Sequence, residues 1–268
     1  MAKLFDLSQL NPIKLYFQSD VFHSQNENLA VFNPNYNPRH TDNDFFARNL
    51  KSWQDKVKYY QPYQQGDTIN LMWLGVSTNN YTAYIVDCHG KHVAQIVPTS
   101  PGTLGSDTIY LLKLPLWNID EGVYFIQLRY ANTSTIENTY MISEPIDIKA
   151  YHEGTMQFMY KNSFNDQHVI WSYENLEMCF RIHCAFTEMT PQNKSVVYEN
   201  EPLNPTLVSA IPYREWLLNF GYNGNQIPEW LIDKLERIFS CDTIKIDGKY
   251  FTRKENSQFS PKRIEGHP

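Results

Sequence analysis

The chain has 268 residues, of which 15% are aromatic and 19% charged, and a formal net charge of −6. That many rings with so little net charge excludes disorder for the chain as a whole, and the lack of a basic excess argues against a phosphate-binding or sequence-specific nucleic-acid-binding protein. The length sets an expectation of about two domains, each large enough to build a core without disulfide or metal staples.

Residues 1–50 differ from the rest. His23 to Asp44 is crowded with asparagines (Asn26, Asn28, Asn33, Asn35, Asn37, Asn43) and carries Pro34 and Pro38. No period of 2 or 3.6 survives there. Five rings nevertheless punctuate residues 22–46: Phe22, Phe32, Tyr36, Phe45 and Phe46. A solvated linker does not need them. The segment reads as an extended arm and as the candidate interaction element, docking on its own core or on a neighbouring copy; the plainer alternative is a loose tail.

From residue 51 to 150 the pattern is β. Ile69, Leu71 and Trp73 share one face of the first strand, and Leu74 breaks the alternation, as expected of a strand covered on both sides near its end. Tyr81–Asp87 and His92–Val97 read as a hairpin about His89-Gly90. Thr108–Leu114 follows, then Gly122–Tyr130 with Tyr124, Ile126 and Leu128 as its core face. Asn138–Ile148 closes the unit, with Pro145 interrupting it. Six or seven short strands in about 100 residues predict an Ig-like β-sandwich.

Residues 151–268 read as a second β-rich unit. Thr155–Tyr160 and His168–Ser172 are expected strands. Leu176–Phe186 places Met178, Phe180, Ile182 and Cys184 toward a core, and Arg214–Gly221 alternates again. A helix is expected over Pro228–Ser240, with Leu231, Leu235, Ile238 and Phe239 as its apolar stripe. Asp247-Gly248 between alternating runs predicts a hairpin. The predicted fold class is mainly β: two tandem β-sandwich-like units with one C-terminal helix and a hairpin, preceded by an irregular arm.

Catalytic signatures are absent. The chain has no phosphate-binding glycine loop, no H-E-x-x-H and no G-x-S-x-G. Cys88, Cys179, Cys184 and Cys241 are too sparse for a disulfide scaffold and read as core residues. On a strand Cys179 and His183 share a face that Cys184 does not, so the three do not converge on a metal without a bulge. Cys88, His89 and His92 at a hairpin tip lack a fourth ligand. Asp120-Glu121 and Glu199/Glu201 read as solvated loop carboxylates. The basic run Lys245, Lys249, Arg253, Lys254, Lys262, Arg263 reads as a solvated or ion-pairing face. Asn80, Asn132 and Asn193 match the glycosylation pattern by chance, because no signal peptide precedes them. No window approaches the apolar length of a membrane span. The expected protein is not an enzyme, needs no cofactor or metal, is made in a cytoplasm and touches no membrane. Tyr- and Asn-rich, charge-poor composition suits protein interfaces, and equally suits sugar-stacking β-sandwiches.

Two stretches carry a resemblance. Trp53–Gly75 contains an aromatic–Gln–x–Gly–Asp step (Tyr63 to Asp67) leading into a strand. Arg214–Gly221, followed by Ile227–Tyr250 and an ending near Ile264-Glu-Gly, repeats an order of segments. Together, over roughly residues 50–266, they resemble tail-associated structural proteins, of ring or hub type, of crAss-like and other gut Bacteroidetes phages. The resemblance implies a virion protein of the phage tail or neck that forms a cyclic homo-oligomer, contacts other tail or neck proteins and performs no catalysis. It supplies no catalytic residue. The alternative function is a carbohydrate-binding or host-adhesion module.

Overall fold

The computed structural model describes residues 6–7, 10–13, 15–17, 59–76, 80–87, 91–131, 137–164, 169–200, 204–221, 227, 229–254, 257 and 260. The five arm rings and the Cys88-His89 tip lie outside the described residues.

The fold is mainly β, with three sheets among the described residues. Two form the expected sandwich. The first sheet has the order β1 (Asp6–Leu7), β4 (Thr68–Val76), β8 (Asp107–Pro115), β7 (Thr99–Leu104). The second is built on β9 (Gly122–Ala131). One side of β9 is lined by β10 (Glu137–Ser143) and then β11 (Ile146–Lys149). Its other side pairs with β5 (Asn80–Asp87), which carries β6 (His92–Ile96) at the edge. β2 (Leu15–Phe17) extends β10, and β3 (Gln61–Gln64) runs parallel to β11. The break between β10 and β11 falls at Glu144-Pro145, where the proline has no N–H for the ladder.

Alternation sends Ile69, Leu71 and Trp73 of β4, and Tyr124, Ile126 and Leu128 of β9, into the sandwich interior. Trp73 stacks on Tyr110 (5.7 Å) and meets Tyr81 edge-on (6.1 Å). The opposite face of β4 is buried as well: Met72 and Leu74 join Ile109 and Leu111 in a second core. The doubly covered strand inferred from Leu74 is therefore real. The outward face of β9 is also buried, at Phe125, Gln127 and Arg129.

The third sheet has the order β14 (Asn204–Phe220), β13 (Met178–Asn200), β12 (Thr155–Lys161), β15 (Thr243–Ile246), β16 (Lys249–Phe251). Its Phe158, Tyr160, Met178, Phe180 and Ile182 share the second core with Leu231, Leu235 and Ile238 of helix α1 (Glu229–Ile238). The β15–β16 turn is the expected tight hairpin, with Asp247 at φ 46° and Gly248 at φ 77°. Of the expected strand His168–Ser172, the described residues 169–172 do not form a strand. Val169 makes an isolated bridge, and the chain then turns into a 3-10 helix at Tyr173–Asn175, anchored by Tyr173 N donating to Ile170 O (3.2 Å). Burial of Val169 and Trp171 in the second core explains the apolar pattern that suggested a strand.

Residues 10–13 pack against the body. Asn11 acts as a surrogate strand, its Nδ2 donating to Met72 O and its Oδ1 accepting from Met72 N, both at 2.8 Å. Leu10 and Ile13 are buried on either side of it.

Candidate interaction surface

β13 and β14 run far longer than their neighbours. β12 pairs with β13 only from Tyr160↔Met178 to Thr155↔His183. There Gly154 turns the chain away, and its carbonyl accepts from Cys184 N (3.1 Å). From Ala185 onward β13 pairs with β14 alone among the described strands, and the two stay paired to Asn200↔Asn204, with register shifts between Phe186 and Glu188 and between Val196 and Val197. At about 3.3 Å per residue, the excursion beyond Glu188 reaches roughly 40 Å. Thr, Val, Ile, Tyr and Trp recur through it, which suits an extended ladder. Sequence reading found only its two ends, Leu176–Phe186 and Arg214–Gly221. Pro191 and Pro212 argued against a strand between them, yet the alternation of Ile211, Tyr213 and Leu217 was a usable signal.

The base is anchored. Phe186 packs on Trp216 (5.2 Å) and Phe251 (5.1 Å), and Lys254 pairs with Glu215 (2.8 Å). Beyond it the ribbon presents both faces. Leu217, Tyr213, Ile211 and Val196 project from one face, and Met189 and Trp216 from the other, all exposed. Near the tip the register slips between Val196 and Val197, which leaves Val208 as an extra residue. Val208 is 63% exposed, Leu207 60% and Val196 53%. A two-stranded ribbon is marginal in water by itself, and its exposed apolar side chains make it the candidate interaction surface.

The prolines restrict how it can be used. Proline cannot donate to a ladder, so Pro191 (opposite Arg214) and Pro212 (opposite Asn193) must occupy pairs whose N–H positions point outward. Each outer edge thereby loses a donor midway along its length. Strand addition along either edge is blocked there, and the faces remain.

The other sequence candidates settle as follows. Cys179 and Cys184 are buried, and desolvation pushes each thiol up to about 12; for Cys179 the charge of Asp67 adds to this. Burial first, then the nearby His152 and Lys149, hold His183 below its ordinary value. Among the described residues no group of three His, Cys, Asp or Glu is placed to hold a metal. His92 lies 3.0 Å from Arg129 Nη2 and packs on the Tyr84 ring (4.4 Å). Glu121 accepts from Ala150 N (3.1 Å), and Asp120 is exposed. Glu201 lies outside the described residues, as does the side chain of Glu199. Lys245 pairs with Glu177 (2.7 Å), and Arg253 donates to Ser257 Oγ (3.0 Å). Lys249 is exposed, and Lys262 and Arg263 lie outside the described residues.

Raised thiol pKa values lower the thiolate fraction at neutral pH by roughly a thousandfold relative to an ordinary cysteine. Iodoacetamide should therefore label Cys179 and Cys184 only after denaturation. Mass spectrometry of the native and urea-treated chain checks this. Fast labelling of a natively folded sample would contradict the burial.

Comparison with protein-family models, with curated proteins and with solved structures gives no match.

Proposed function

We propose that the chain is a structural subunit of a phage virion that builds a ring of the tail or neck by protein–protein packing, with the β13–β14 ribbon as its assembly element. The observation that carries this is the projecting ribbon itself. Its apolar side chains are exposed on both faces over a length that a lone chain has no reason to maintain. The phage context rests on the resemblance of residues 50–266. Rings need heterologous contacts, and a protruding element that reaches a neighbour supplies one.

The test replaces Pro191–Arg214 by an Asn-Gly turn. Thr190 and Glu215 are paired, so the shortened hairpin can close with the anchoring contacts of Trp216 and Glu215 kept. The expected result is a native circular dichroism spectrum with assembly lost in sedimentation and in negative-stain images. Rings formed as well by the shortened chain would refute the reading, and so would an intact chain that stays monomeric at every concentration.

A second reading, carbohydrate or host adhesion, has one observation in its favour. Trp117 and Tyr151 are strongly exposed on loops tied together by the Glu121–Ala150 hydrogen bond. It requires polysaccharide binding that Trp117→Ala abolishes while assembly persists.

A further inference from the structure

We infer that the N-terminal segment 6–17 is exchanged between copies of this chain: the segment of one subunit fills the groove of the next. The inference rests on the reading of the chain as an assembly subunit and names a second contact, separate from the ribbon.

The segment is fitted into the body as a separate piece. β1 lies along β4 of the first sheet (Asp6↔Leu74, Leu7↔Trp73), and β2 lies along β10 of the second (Leu15↔Ser143 to Phe17↔Met141). The segment therefore crosses from one sheet of the sandwich to the other. Between the two strands Asn11 holds the N–H and the C=O of Met72, both at 2.8 Å. The Leu10 carbonyl accepts from Tyr160 Oη of β12, and the Asn11 carbonyl accepts from Lys234 Nζ of α1. Leu10 is buried in the second core and Ile13 in the sandwich core. These partners of the segment lie between Met72 and Lys234, so the groove is built by the body alone.

The groove has to be filled. Vacating it would take these hydrogen-bond partners from Met72, Tyr160 and Lys234 and would open both cores to water. The contacts are the same whichever copy supplies the segment, so connectivity decides between the two.

The connection is made by residues 18–58, which lie outside the described residues. Its two flanks are fixed close together. Phe17 pairs with Met141 and Gln61 with Ile146, and those two partners sit opposite Leu128 and Tyr124 of β9. The flanks are thus roughly 15 Å apart. A link of about 40 residues can span up to roughly 130 Å, many times what a return to the same subunit requires. Compact domains close such gaps with far shorter loops. The surplus length is enough to carry the segment to the groove of an adjoining body. Exchange of an identical element needs no new surface, only the groove already built. Each copy gives one segment and receives one, so repetition closes a ring or a reciprocal pair.

The experiment uses full-length chains in a Cys88→Ser background, where the remaining Cys179, Cys184 and Cys241 are buried. Tyr16 and Ile142 are direct partners across the β2–β10 ladder, which puts cysteines at these positions within disulfide reach. Tyr16→Cys and Ile142→Cys are made as two chains with different affinity tags, co-expressed and oxidised. Neither chain has a thiol partner within its own subunit. The expected result is a covalent dimer that carries both tags, with neither chain dimerising when oxidised alone. A chain bearing both substitutions should run as a ladder of covalent multimers on a denaturing gel. If the doubly substituted chain instead closes an internal disulfide and the mixture gives no dimer, each segment fills its own groove and the exchange is overturned; sedimentation of that same sample as an assembly would leave the assembly reading standing. Absence of any disulfide in both samples would overturn it too, because the segment would not lie on β10. Dimers formed equally well by either chain alone would be collisional and would count against it. A chain that stays monomeric at every concentration would remove the exchange and the assembly reading together.

Discussion

Asp67→Ala should cost about 3–5 kcal/mol of stability, the usual penalty for removing one member of a buried ion pair. Asp67 sits at the turn between β3 and β4, where its Oδ2 accepts from Gln64 N (2.8 Å). Both carboxylate oxygens also hold Arg181 of β13, through Nε (2.9 Å) and Nη2 (3.1 Å), and Oδ1 accepts from Gln157 Nε2 (2.7 Å). Asp67 and Arg181 are 3% and 7% exposed, so water cannot replace the lost partner. The alanine variant strands a guanidinium between the sandwich and the third sheet. Arg181→Met strands the carboxylate instead and should cost a similar amount. Asp67→Ala combined with Arg181→Met removes both charges, and its loss should fall well short of the sum of the single losses. Urea unfolding of the parent and the three variants measures the cycle. A loss below about 1 kcal/mol for Asp67→Ala would mean that the pair is solvated.

Leu235→Asp should be comparably severe. The side chain is 1% exposed and lies among Leu231, Ile238 and the apolar residues of the third sheet. An aspartate there would sit in this apolar cluster, so the substitution removes a leucine's burial and adds the cost of desolvating a charge, several kcal/mol in all. Glu236→Ala, one residue on, faces solvent and should stay within about 0.5 kcal/mol of the parent. Thermal melts of the pair decide the assignment. Equal midpoints would place the helix stripe on the wrong face.

Much of the sandwich was legible because its strands obey a period of two and are punctuated by glycine and proline. Tyr124, Ile126 and Leu128 announced their face, and Asp247-Gly248 announced its turn. Burial on both faces was legible at Leu74, where alternation failed, but not along β9, where Gln127 and Arg129 are polar yet buried. A buried arginine looks like a surface arginine until its partner is known. The partner of Arg181 lies 114 residues away, and nothing local marks it. The helix was legible from its stripe and its leading proline. The ribbon was missed for a definite reason: its prolines sit at pairs that do not need their N–H, and a single sequence does not display which pairs those are. The arm rings Phe22, Phe32, Tyr36, Phe45 and Phe46, the interaction residues expected from sequence, lie outside the described residues. The candidate surface therefore rests on the ribbon, which the sequence did not single out.

The excursion leaves and re-enters the body at positions that face each other, Phe186 and Leu218. Its length is consequently independent of the core. Beyond the Thr190–Glu215 pair, residues can be added to or taken from both strands in matched pairs without disturbing the packing of Phe186 on Trp216 or the Lys254–Glu215 pair. Each step of two residues per strand restores the same faces and moves the tip by roughly 7 Å. An odd step would instead exchange the faces. The strand length thus acts as a ruler with a fixed graduation, and the reach of the ribbon from the body is written in the number of rungs between Glu188 and Asn200.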